Sequence, residues 1–142
     1  MKPIYQILGL LVAMALLVGC KSTNNTTQPV YPDDLSAFGL DTSKIEVIYF
    51  HNKQRCANCV AVEELTGKVV SGMDSSMIRF AHYAIGSNEV AALEDTLQIA
   101  GPTVLLFHRG EVINLTTSAY LFARVKPEKY RADLEKAIQE LK

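Results

Sequence analysis

The stretch KIEVIYFH, Lys44 to His51, limits what this chain can fold into more than any other. Its density of β-branched and aromatic residues reads as a buried strand. The period then changes. In CANCVAVEELTGKVVSGM, Cys59, Val62, Leu65 and Val69 recur at helical spacing, and Glu64 and Lys68 form an i,i+4 pair on the polar face. Gly67 lies inside that pattern and is expected to bend the helix. A second strand is read over Met77 to Ile85. A helix follows in SNEVAALEDTLQI, with Ser87 or Asn88 at its N-cap and Val90, Leu93 and Leu97 on one face. Thr103 to His108 is an apolar strand, Arg109-Gly110 a tight turn, and Glu111 to Leu115 the returning strand of a hairpin. Pro127 fits the first turn of a last helix whose buried stripe is Tyr130, Leu134, Ile138 and Leu141. A strand, helix, strand sequence demands a parallel pair, and the hairpin adds an antiparallel edge. The expectation is an α/β domain: a mixed central sheet of about four strands with helices on both faces.

The 142 residues suffice for one domain with a real core, not two. The net charge of -1 and the absence of a basic stripe argue against a nucleic-acid partner. Ahead of the domain, Lys2 precedes a mostly apolar run from Ile4 to Gly19, which reads as a secretory leader too short for a spanning helix. Its end, Leu17-Val18-Gly19-Cys20, resembles the bacterial lipobox. That resemblance implies cleavage before Cys20 and acylation of its sulfur, with several acyl chains holding at about 0.8 kcal/mol per buried CH₂. The polar, Pro-containing run Lys21 to Asp34 reads as a flexible tether. The expected organisation is a leader over 1–19, a lipidated Cys20 with tether over 20–40, and a folded domain over 41–142. The implied location is the bacterial cell envelope, lipid-anchored and facing the periplasm.

Three cysteines are present. With Cys20 consumed by lipid, Cys56 and Cys59 remain, in a compartment that permits disulfides. They could staple the fold, bind metal or exchange disulfides. A staple closing about four residues stabilises by only roughly 2 kcal/mol, against ~4.7 for a long loop. Structural zinc wants four ligands, and no second cysteine pair exists. Cu(I) accepts two soft thiolates, and His51 lies five residues before Cys56, so a thiolate-based copper carrier is one alternative. For exchange, a thiolate is needed, and a cysteine at a helix N-terminus gains it from unpaired N–H groups and the helix dipole. Cys56 is placed there, with Arg55 adding a permanent cation. Cys56 is the expected nucleophile and Cys59, one turn on and facing inward, the resolving thiol. His51 ends the strand that feeds this loop, and an imidazolium there would stabilise a thiolate. His82 reads as a packed or edge residue and His108 as turn-adjacent and exposed. Tyr49 and Phe50 read as core.

Cys56-Ala57-Asn58-Cys59 after EVIYFHNKQR, together with Gly101-Pro102-Thr103 before VLLF and HRGEV, resembles the thioredoxin-like superfamily over roughly residues 40–142. The resemblance implies that Cys56–Cys59 is a redox-active disulfide and that Pro102 is cis and packs beside the pair. It implies that Gly101, with Thr103 across the proline, meets an incoming peptide. Protein thiols and disulfides are then the substrates. A membrane thiol transporter is the expected electron donor, no diffusible cofactor or metal is implied, and the chain is expected to act as a monomer. The sequence departs from the superfamily pattern at Arg55, where Trp is usual, and at Ala57-Asn58, where Gly-Pro is usual. The strand also lacks an evident buried acid near its end. A thioredoxin-fold interaction module without catalysis is the other alternative.

Overall fold

The computed structural model describes residues 31–142. The leader, Cys20 and most of the expected tether lie outside the described residues. Four strands are present: β1 (Ile45–His51), β2 (Ile78–Ala84), β3 (Thr103–His108) and β4 (Glu111–Asn114). Four α-helices accompany them, α1 (Ala57–Ser71), α2 (Ala91–Thr96), α3 (Thr116–Phe122) and α4 (Pro127–Glu140), with a short 3-10 helix (Ser36–Phe38) ahead of β1. The sheet order is β2-β1-β3-β4. β1 and β2 run parallel through the α1 crossover, while β1–β3 and β3–β4 are antiparallel. The chain is thus an α/β domain with a mixed four-stranded sheet, as its pattern of periods requires.

Every residue of β1 is buried because both faces of this central strand are covered. The pleat sorts them. Ile45 and Val47 join Leu106 under α1 and α4, against Val69, Val70, Leu134 and Ile138. Tyr49 and Val104 continue that face beneath α1, α3 and the start of α4, against Val62, Ala119 and Tyr130. Ile48 and Phe50 point to the opposite face, where Leu105 and Phe107 meet Leu93 and Leu97 from the α2 region. Leu35 and Leu40 complete this second layer and are 0% and 3% exposed. The packed chain therefore begins ahead of residue 41, directly after the polar run that ends at Asp34. Two isolated leucines carry no period, and only the sheet face they cover gives them a role.

Glu46 is fully buried and lies opposite Arg79 in the parallel register. Its carboxylate accepts from Arg79 Nε (2.9 Å to each oxygen) and from the backbone N–H of Asp41 (2.8 Å). Arg79 also donates to the Gly39 carbonyl. This cluster fastens the segment before β1 onto the sheet.

α1 runs unbroken through Gly67, whose Cα faces the edge of the Phe80 ring; a Cβ there would stand 3.5 Å from Phe80 Cε1. Neither Ser87 nor Asn88 caps α2: Val90 occupies the N-cap without a side-chain bond, and Glu94 reaches back to the N–H of Gly86 (2.9 Å). The β3–β4 hairpin is as read. Arg109 (φ 50°) and Gly110 (φ 83°) both adopt the left-handed conformation that a two-residue turn of this twist demands. The four expected stripe residues of α4 are all buried. His108 donates through Nδ1 to the carbonyl of Leu141 (2.7 Å), tying the end of α4 to β3. α3 was not anticipated at all.

Candidate active site

β1 ends at His51, and five residues later the chain turns into α1 with Cys56 as its N-cap. The cap position leaves Cys56 with an extended backbone (φ -90°, ψ 165°) and an exposed side chain. Its Sγ accepts from the backbone N–H of Cys59 (3.2 Å), the bond an N-cap oxygen would normally accept. Cys59 lies in the first turn and is 4% exposed. The two Cα atoms are 5.0 Å apart and the sulfurs are within disulfide distance. One sulfur therefore faces solvent at the positive end of a fifteen-residue helix, and the other is under cover.

Cys59 is covered by two tyrosines. Tyr49, wholly buried on β1, donates through its hydroxyl to the Cys59 carbonyl (3.4 Å). Its oxygen is 3.0 Å from the hydroxyl of Tyr120 on α3, and Tyr120 donates toward Cys59 Sγ at 3.9 Å. Burial holds the Tyr49 phenol far above its ordinary range, and the Tyr120 hydroxyl pushes the same way. Tyr49 thus stays neutral and keeps its proton for hydrogen bonding. Neither tyrosine carries a site signature in sequence: Tyr49 reads as core, which it also is, and Tyr120 belongs to α3, which no local pattern announces.

Arg55 immediately precedes Cys56, as expected, but its guanidinium is paired with Glu63 two turns into α1. The positive charge beside Cys56 is therefore partly compensated. His51 is 93% buried by position in β1 (7% exposed). Its Nδ1 is 3.0 Å from the Asn52 carbonyl and its Nε2 is 3.4 Å from His82 Nδ1. Both ring nitrogens are thus engaged away from sulfur, and the ring tilts against Tyr49 at a centroid distance of 5.5 Å. The ring partner of His51 is thus a second histidine, His82. His82 sits on the edge strand β2, where its reading placed it, and lies 3.5 Å from Glu63 Oε2.

The proline loop needs the clearest correction. The Gly101–Pro102 bond is trans, as every peptide bond of the described residues is. Trans is the lower-energy isomer of X–Pro by about 0.5–1 kcal/mol, and the dipeptide alone gives no reason to leave it. The register pairs Phe50 with Thr103, so Pro102 still lies at the end of the sheet where β1 delivers the chain to Cys56. Thr103 Oγ1 donates to the Gly101 carbonyl (2.7 Å), which takes up part of that acceptor's capacity. A Cβ on Gly101 would meet nothing within 4 Å, so the approach is open there. Gly101, Pro102 and Thr103 line a groove of about 300 Å³ with Tyr31, Gln98 and Asn114; neither cysteine lines it.

Compared with known proteins, the chain matches no family model and no curated sequence. Among the described residues, no helix is long and apolar enough to cross a membrane.

Proposed function

We propose that this chain is a thioredoxin-like thiol–disulfide oxidoreductase, held by lipid on Cys20 outside the cytoplasm and acting on protein disulfides. The observation that carries the reading is the unequal placement of the two sulfurs: Cys56 exposed at the N-cap of α1, Cys59 buried one turn later. In the reducing direction, the Cys56 thiolate attacks one sulfur of a substrate disulfide. A Cys56–substrate bond forms, the substrate S–S bond breaks, and one substrate sulfur leaves as thiolate. Cys59, as thiolate, then attacks Cys56 Sγ. The intramolecular disulfide closes, the second substrate sulfur leaves, and two electrons have passed to the substrate. Two protons complete its thiols. The N–H of Cys59 stabilises negative charge on Cys56, and the Tyr120 hydroxyl does so for Cys59. A membrane dithiol donor would return the pair to its reduced state. In the oxidising direction every step reverses.

The test is covalent trapping. The full chain with Cys59→Ser, expressed in its native cell, is expected to accumulate mixed disulfides on Cys56 that vanish in a Cys56→Ser control. Identical profiles from the two variants would discard the exchange mechanism.

A further inference from the structure

We propose that His51, His82 and Glu63 form a binding site for a divalent transition metal, best matched to Zn²⁺, that uses no sulfur. The three side chains come from β1, β2 and α1, and one donor atom from each lies within 4.8 Å of the others.

Taken as a neutral imidazole, His51 has its tautomer set by its partners. Nδ1 is 3.0 Å from the Asn52 carbonyl, which can only accept, so Nδ1 carries the proton. Nε2 of this buried ring is then a lone pair, and its partner is His82 Nδ1 at 3.4 Å. If that contact is a hydrogen bond, His82 must donate. Yet the same His82 nitrogen is 3.5 Å from Glu63 Oε2, another acceptor. A single N–H would serve two acceptors, both at the long limit of a useful bond. A cation resolves the arrangement. Ligand atoms about 2.0–2.1 Å from tetrahedral zinc lie roughly 3.3–3.4 Å from one another. The two observed separations, 3.4 and 3.5 Å, are close to that edge length.

The surroundings agree. Two imidazoles and one carboxylate are a donor set that leaves zinc a position open to solvent. The side chain of His82 is 48% exposed, so solvent reaches the cluster on that side. The Nδ1–H of His51 donating to a carbonyl is the outer contact that orients a metal-bound imidazole. Arg55 donates to Glu63 Oε2. A carboxylate offers about four lone-pair sites, so Glu63 can hold both the guanidinium and the cation.

The experiment uses the full chain in mild detergent, with Cys56–Cys59 oxidised and other thiols alkylated, so that sulfur cannot ligate. Co²⁺ is added as the optical probe and Zn²⁺ as competitor. One Co²⁺ per chain is expected, with visible d–d bands, no sulfur-to-cobalt charge transfer, and displacement by Zn²⁺. His82→Gln and Glu63→Gln, both at partly exposed positions, are each expected to weaken binding about 100-fold while circular dichroism is unchanged. Absent binding in the oxidised, alkylated chain overturns the proposal, leaving a hydrogen-bonded triad. So does affinity that neither substitution alters.

Discussion

The hydroxyl oxygens of Tyr49 and Tyr120 lie 3.0 Å apart, and both are directed at Cys59, one at its carbonyl and one at its sulfur. Two phenolic protons thus face three acceptors: the carbonyl, the sulfur and the other hydroxyl. With the Tyr49 proton on the carbonyl, the Tyr120 proton is free to move between Tyr49 and sulfur. It turns to sulfur when Cys59 ionises, because a thiolate is the strongest acceptor of the three.

Tyr120→Phe removes that donor and keeps the ring. Hydrogen bonds to charged groups contribute about 1.5–3 kcal/mol. The long contact places this one at the low end, so resolution of the Cys56 mixed disulfide is expected to slow about tenfold. Quenched-flow measurement of the mixed disulfide's lifetime checks this. An unchanged lifetime means the hydroxyl only packs.

Arg79→Ala leaves the Glu46 carboxylate fully buried with one backbone N–H as its remaining donor. Removing one partner of a buried pair costs roughly 3–5 kcal/mol. The side chain of Arg79 is itself 39% exposed, so water reaches the gap and the expected loss is about 2–3 kcal/mol. Urea unfolding measures it, and Arg79→Lys is expected to keep only part of the stability, because the paired Nε contacts are lost.

Tyr130 links α4 to α1. Thr66 Oγ1 donates to the Val62 carbonyl (2.6 Å), so Tyr130 is the donor in its 2.8 Å contact with Thr66. Burial pushes the Tyr130 phenol up to about 12 from an ordinary value of 10.0. The folded state keeps this proton where the unfolded chain releases it. Its contribution is therefore complete below pH 10 and is lost as pH rises through about 12. Tyr130→Phe is expected to cost about 1 kcal/mol at neutral pH and to flatten the alkaline fall in stability. Tyr49 shifts in the same direction, so some slope remains. Denaturant melts between pH 8 and 12 supply the comparison.

Gly67→Ala places a methyl 3.5–3.6 Å from the Phe80 ring, an ordinary contact, in the interior of α1. Helix propensity then dominates, and a gain of about 0.5–1 kcal/mol is expected. A lowered thermal midpoint would mean that Phe80 cannot tolerate the closer approach.

What could be read from the chain follows from how local each signal is. β1, the hairpin and α4 announce themselves because their patterns are dense and their punctuation specific. Arg109-Gly110 and Pro127 sit where turn and helix geometry require them. α3 stayed hidden because Thr116-Thr117-Ser118 are poor helix formers and only Ala119 of its seven residues is buried. With α3 went Tyr120. Leu35 and Leu40 were hidden for a related reason, since their burial is set by Ile48, Phe50 and Leu93 across the fold. The Glu63–His82–His51 cluster depends on the parallel register that pairs Tyr49 with His82, which no local pattern encodes. Cys56 and Cys59 were placed correctly at the head of α1 because strand, loop and helix are contiguous there.

The contrast between an exposed Cys56 and a 4%-exposed Cys59 has a practical corollary for anyone counting thiols. On the reduced, native domain a bulky alkylating reagent will register one fast event, and the second only at the rate at which the Tyr49–Tyr120 cover opens. The slow phase of such a titration becomes a clock for local breathing around α3, readable without any substrate.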